Sequence, residues 1–212
     1  MQNNQATDLN LVRDQLIQAA LPHVIFDGWS NKTLSEAADE LGLDATIPAR
    51  LFGGGGADAV AHFVRLADRL MIEDSAQLDL SKLGDRARLL AVIKVRFERW
   101  SPHREAIRRA VGLLAMPANL GLAAQLTWGT ADAIWMATGK RSHDISWYTR
   151  RASLSAVFAA TLMTWLDDTS ENSAETYAFL GRRFDEVAET IKLRHRAWNW
   201  LVQRVPGLAV PG

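Results

Sequence analysis

The sequence predicts an all-α protein, a degenerate helix-turn-helix head followed by a larger helical body. Three observations carry this reading. Apolar residues recur at three- and four-residue spacing along most of the chain, and no stretch sustains the two-residue alternation of a half-buried strand. The first third also runs helix, helix, tight glycine turn, short helix, longer helix, which is the order of such a head.

Leu9, Val12, Leu16, Ala19 and Ala20 form one stripe of a first helix that runs on toward Phe26, with Gly28 as its stop. A second helix is expected over 33–41, opened by a Ser30 or Asn31 cap and closed by Gly42. Asp44 caps a short third segment to Phe52, the glycines at 53–56 give a flexible turn, and a longer helix covers 57–74. Residues 1–74 make up the head and 75–212 the body, joined by a connector over 75–84. The body opens with a helix over 85–100 carrying Leu89, Leu90, Val92, Ile93 and Phe97, and Ser101-Pro102 restarts the chain into a helix over 102–116. Pro117 breaks that helix. From 118 to 138 nearly every face is apolar or small, the mark of a helix buried on most sides. Leu154, Val157, Phe158, Thr161, Leu162 and Trp165 form an orderly stripe on the next helix, and a last one runs over 174–205 to Pro206-Gly207.

Composition removes several functions. In the 212 residues 24 basic side chains balance 24 acidic ones, so any pull toward nucleic acid or anionic lipid must come from local patches. The absence of cysteine removes disulfides, thiolate chemistry and cysteine zinc sites, and fits a reducing compartment. Residues 1–10 are polar and read as neither a signal nor a transit peptide, which makes the cytosol or the cytosolic face of a membrane the expected location. Pro117, Asn119, Gln125 and Asp132 break the longest apolar region, 110–139, too often for a membrane span. The head is a poor reader of DNA. Residues 31–58 hold Lys32 and Arg50 against Glu36, Asp39, Glu40, Asp44 and Asp58, and Pro48 falls inside the presumed recognition helix. Catalysis lacks its parts as well. None of the five histidines follows an acid at the Glu-x-x-His spacing, and the glycine run lacks the Lys-Ser/Thr of a phosphate loop. His23 with Asp27, and Asp58 with His62, are expected to form helical i,i+4 pairs.

The octet 144–151, Asp-Ile-Ser-Trp-Tyr-Thr-Arg-Arg, has the composition of a recognition hot spot, although Trp147 could equally be core and the arginines solvated. Together with the helix over 152–168 it resembles the signature of the ubiquinone-biosynthesis accessory lipid-binding family, whose eukaryotic members are the ninth Coq protein. The resemblance extends over 23–63 and on to Phe184. It implies a TetR-like all-α fold with a ligand-binding body, a hydrophobic pocket for a polyprenyl lipid, and docking onto the hydroxylase of the ubiquinone ring. At positions matching the family signature, the partner contacts would be Asp144, Trp147, Tyr148 and Arg151. Helix phase qualifies this: if the helix starts at Ser146, Trp147 shares a register with Leu154 and Trp165 and points toward the core, while Tyr148 and the arginines lie at the flanks.

Between residues 113 and 162 large apolar residues alternate with Ala115, Gly121, Ala123, Ala124, Gly129, Ala131 and Ala133, which either lets helices approach closely or leaves a groove. The resemblance favours a pocket, lined by Leu114, Met116, Leu120, Ile134, Met136, Phe158 and Leu162. Residues 85–109 carry eight basic residues against three acidic ones, a solvated face or a seat for anionic headgroups. Trp198, Leu201, Val202 and Val205 share a face of the last helix, and burying them in a bilayer or on the body would contribute roughly 6 to 12 kcal/mol either way. The eukaryotic members carry a longer amphipathic membrane-binding helix beyond this point.

The expected function is that of a non-catalytic accessory protein that binds isoprenoid quinone intermediates and presents them to a ring hydroxylase. It would have no cofactor beyond the bound lipid, no nucleic-acid partner, a peripheral place at the inner face of a bacterial membrane, and room for a homodimer. The alternative is a ligand-sensing TetR-type transcriptional regulator.

Overall fold

The computed structural model describes residues 2–139 and 146–204, and every regular element among them is helical. In chain order these are α1 (Gln2–Asp27), α2 (Asn31–Glu40), α3 (Ile47–Leu51), α4 (Gly56–Ser75), α5 (Asp85–Trp100), α6 (Arg104–Leu114), α7 (Leu120–Ala137), α8 (Ser146–Asp167) and α9 (Ala174–Arg204), with short 3-10 turns before α5, α6, α7 and α9.

In the head, α1 stops at Gly28, whose φ of +67° suits the residue without a Cβ. Ser30 then caps α2, its hydroxyl accepting from the Thr33 N–H at 3.2 Å, while the Thr33 hydroxyl donates to the Gly28 carbonyl at 2.8 Å. The buried stripe of α1 is Leu16, Ile17, Ala20, Leu21 and Val24, rotated from the expected line, so that Leu9 and Phe26 face outward. Asp44 shapes the turn before α3 by accepting from the N–H and hydroxyl of Thr46. Pro48 does not break α3. It is the second residue of a five-residue helix, a position where the missing N–H has no intrahelical partner to lose. Both expected i,i+4 histidine pairs are replaced by contacts between helices. His23 bonds Glu40 at 2.8 Å, and His62 bonds Asp14 at 2.7 Å. Burial holds His62 below the usual histidine range, against the opposing pull of Asp14, so the neutral ring donates to the carboxylate.

The head core does not end at the connector. It takes in Trp100, Ala106 and Ala110 from α5 and α6. Trp29 makes the join: its indole N–H donates to the Ala106 carbonyl at 3.0 Å and its ring meets Phe63, which in turn packs edge-on against Trp100 at 4.9 Å. The glycine turn is partly obligatory for the same reason. A Cβ on Gly56 would lie 2.0 Å from the Trp29 carbonyl oxygen, and Gly55 has a φ of +64°, whereas Gly53 has open space around it.

In the body, Met71, Val92, Ile93, Phe97, Ile134, Trp165 and Leu180 are buried together with the expected α8 stripe. Leu154, Val157, Phe158, Thr161 and Trp165 all face inward. α7 differs from expectation in being apolar yet open on one side, with Leu120, Gly121, Ala124, Gln125, Gly129 and Met136 exposed. Helix composition alone does not say which face a neighbour covers. Among the described residues no single helix is long and apolar enough to cross a membrane.

Each of the eight basic residues of 85–109 has an intramolecular partner. Arg86 reaches Asp185, Arg96 reaches Asp68, Arg99 reaches Asp74, and Arg108 reaches Asp167. Lys94 and Arg109 pair along their own helices with Glu98 and Glu105, and Arg88 donates to the carbonyls of Leu83 and Ser81. Arg104 donates to the Asp168 carbonyl and the Ser173 hydroxyl. The cluster that looked like a seat for headgroups therefore laces α5 and α6 to their neighbours.

Asp168 closes the fold at the start of α9. Its carboxylate accepts from the N–H and hydroxyl of Ser170 and from the N–H and hydroxyl of Thr176, at 2.5–2.8 Å. Burial alone would raise its pKa, but these four donors hold it down at about 2. A carboxyl depressed in the folded state contributes stability above its unfolded pKa of about 3.9 and loses it as pH falls. Asp168→Ala is expected to lower unfolding free energy by about 2 kcal/mol at pH 7, with the difference from wild type shrinking between about pH 4 and pH 2 in denaturant titrations. Gly56→Ala is expected to cost about 2 kcal/mol or more and Gly53→Ala less than about 1, compared by thermal melting.

Candidate functional site

A cavity of about 90 Å³ lies where α4 to α8 converge. Phe97 supplies much of its wall, stacked on Trp165 at 4.9 Å and 10° and on Phe158 at 5.9 Å and 21°. Of the residues expected to line a pocket, Leu114, Phe158 and Leu162 do so. Ile134 is fully buried in the body core and does not line it. Met116 and Leu120 are 53% and 55% exposed because they flank the 3-10 turn Pro117–Asn119, where the chain bends by 92°, and Met136 lies on the open face of α7. Sequence reasoning missed the α4 and α5 contributions, among them Phe63, Ala67, Arg96 and Trp100. The signal was available in the i,i+4 spacing of each pair, but both helices already had a core to serve.

The cavity is apolar except along one edge. There Arg96 donates to the Asp68 carboxylate at 2.5 Å and lies 5.6 Å from the Phe158 ring, while the Thr130 hydroxyl donates to the other Asp68 oxygen at 3.2 Å. Burial pushes the Asp68 carboxyl above its usual range, and the Arg96 charge opposes this most directly. The ion pair neutralises the edge.

A second feature links the outer end of α8 to α7. Arg151, expected at a flank, is 7% exposed and pairs with Asp132, its guanidinium 5.7 Å from the Trp128 ring. The reason is helix phase: position 151 lies one turn from 147 and in line with 154 and 158, the inward stripe. Tyr148, in contrast, is 64% exposed and its ring lies 6.5 Å from that of Trp128. The surface is thus an aromatic pair over a buried ion pair. Trp128 was not anticipated, although Asp132, one turn on, is the lone charge of α7 and its need for a counter-ion marked that face. The side chains of Trp147 on α8 and of Trp198, Leu201 and Val202 on α9 lie outside what is described, as do Asp144 and Val205 altogether. No group of three or more His, Asp and Glu among the described residues is placed to hold a metal ion.

The chain matches the COQ9 family model over residues 120–191, which span α7, α8 and the first half of α9. It is similar to the mitochondrial ubiquinone biosynthesis proteins COQ9-A and COQ9-B of Xenopus laevis, 31% identical to each over 209 residues, covering 94% of this chain and 66% and 71% of those relatives. Human mitochondrial COQ9 is 29% identical over the same length, with 65% of it covered. The chain therefore spans just under two thirds of the length of the COQ9-A and human relatives. In three dimensions it superposes on the crystal structure of a TetR transcriptional regulator from Nitrosomonas europaea with a TM-score of 0.66, covering 84% of this chain and 98% of that one at 18% identity. That likeness bears out the expected fold and, at such identity, speaks to fold alone.

Asp132→Ala removes one partner of the buried Arg151 and is expected to cost about 1–3 kcal/mol, less than for a fully buried pair because Asp132 itself is partly solvated. Tyr148→Ala is expected to stay within about 0.5 kcal/mol of wild type in the same chemical denaturation measurement.

Proposed function

The chain belongs to the COQ9 family, and from that premise we propose that it is a non-catalytic accessory protein of ubiquinone biosynthesis, which binds an isoprenoid quinone intermediate and presents it to a ring hydroxylase. One observation carries the reading. The segment that matches the family model, 120–191, contributes both Phe158 and Leu162 of the apolar cavity and the pair of exposed Tyr148 and half-buried Trp128. A lipid site and a docking surface thus share two helices, so that a partner seated on α7 and α8 meets the wall of the ligand site. Tyrosine and tryptophan over an arginine are also the residue types that dominate binding hot spots. The cavity holds about 90 Å³, below the roughly 300 Å³ at which ligand pockets begin, so an isoprenoid tail requires α6 and α7 to part. The exposed Met116 and Leu120 at the α6–α7 corner give that tail an apolar path outward. Attachment is peripheral, at the inner face of a membrane where such lipids reside, through Trp198, Leu201, Val202 and Val205 near the C-terminus.

The TetR-like fold favours a second reading, ligand-sensing transcriptional regulation. The chemistry of the head weighs against it. The segment in the recognition position is five residues long, and the surrounding 31–58 carries more acid than base.

Solvent extraction and mass spectrometry of the purified protein are expected to recover an isoprenoid lipid, and Tyr148→Ala is expected to weaken capture of the hydroxylase at least tenfold with an unchanged melting temperature. Repeated recovery of no lipid would sink the binding half of the reading. Specific binding to promoter DNA at low salt would instead favour the regulator.

A further inference from the structure

The lining of the cavity contains a hydrogen-bond donor with nothing to donate to among the described residues. Trp100 is 6% exposed, lines the cavity, and its indole N–H is buried with no acceptor. Leaving a buried donor unpaired costs the desolvation of that group, so such a group is retained where something else completes it. Trp29 illustrates the alternative: its own buried indole finds the Ala106 carbonyl.

The ion pair and the threonine hydroxyls of the lining already have partners. Arg96 and Asp68 neutralise one another, the Thr130 hydroxyl donates to Asp68, and the Thr127 hydroxyl donates to the Ala123 carbonyl at 2.8 Å. Among the described residues, Trp100 Nε1 is the fully buried side-chain donor of the lining that has no partner, and two threonine hydroxyls offer lone pairs beside it. A phosphate or carboxylate would enter a neutral, largely apolar cavity with no free cation to meet it, which is prohibitive. A hydrocarbon would leave the indole unsatisfied.

We propose that the cavity is a polar-end site, in which Trp100 Nε1 anchors an uncharged apolar ligand through a carbonyl or ether oxygen. This rests on reading the cavity as the ligand site, and it adds an orientation. The oxygen-bearing end seats inward at the meeting of α4, α5 and α7, and the tail leaves past Leu114 toward Met116 and Leu120. The ligand is then held with its ring covered, and handover to an enzyme begins with withdrawal of the ring from Trp100.

Calorimetric titration of the full chain with a decyl-substituted benzoquinone and with decylbenzene, which matches its tail and ring but lacks the oxygens, separates the claims. Wild type is expected to prefer the quinone by about tenfold, and Trp100→Phe to erase that preference while still binding decylbenzene, which reports an intact cavity. The Trp100 indole N–H resonance is expected to shift with the quinone and not with decylbenzene. A Trp100→Phe variant that keeps the preference, or an unmoved resonance, overturns the anchor while leaving lipid binding standing. Failure of wild type to bind either probe overturns the cavity as a ligand site and the anchor with it.

Discussion

The charged pair of Asp68 and Arg96 sets the frame on which the rest is built. Both side chains are nearly withdrawn from water, at 13% and 9% exposed, so neither can be left without the other. Asp68 is on α4, Arg96 on α5, and Thr130, which completes the carboxylate, on α7. Three helices are thereby fixed in register by polar geometry, which apolar packing alone would leave free to slide. The same α5 sends Arg86 to α9 and Arg99 to α4, and α6 sends Arg108 to α8. Most of these outer pairs are solvated and individually weak. Their common origin on the α5–α6 arm, pinned by Arg96, makes them act as a set of guides around a fixed centre.

How much of this could be read beforehand depends on whether a feature was local. Helix limits were legible because their signals lie within a few residues: Gly28 and Gly42 at helix ends, Ser30 at a start, Pro102 and Pro117 at breaks. The inward stripe of α8 was legible because a single period runs unbroken along it. Pro48 was misjudged by a shift of helix start, since a residue that disrupts a helix interior is at home in its first turn. The pairing of the arginine-rich stretch was not legible for a different reason. Its acidic partners from outside the window, Asp68, Asp74, Asp167 and Asp185, are spread through the chain, and counting charge in one window cannot see acids supplied from elsewhere. Arg151 went inward because a carboxylate on α7 waited there, a pairing that needs two helices at once.

The candidate site shows the same division. Leu114, Phe158 and Leu162 line the cavity, as their apolar neighbourhood in sequence suggests, whereas Met116, Leu120 and Met136 lie outside it, because apolar residues at a sharp chain bend or on an uncovered face look no different on paper. Arg96, Trp100 and Thr130 were out of reach of composition. They are polar or amphipathic residues drawn into a cavity wall by helices whose sequence role was already accounted for by packing. A binding site between elements is a property of their arrangement, and only its apolar share leaves a trace in any one of them.

The hydrogen bond from Trp29 to the Ala106 carbonyl joins residues 77 positions apart. During synthesis the first four helices emerge well before α6, and until α6 arrives the indole has no acceptor and the head core lacks Trp100, Ala106 and Ala110. The head of this protein is therefore not an early-folding unit. Its core is complete only once α5 and α6 have been made and packed against it.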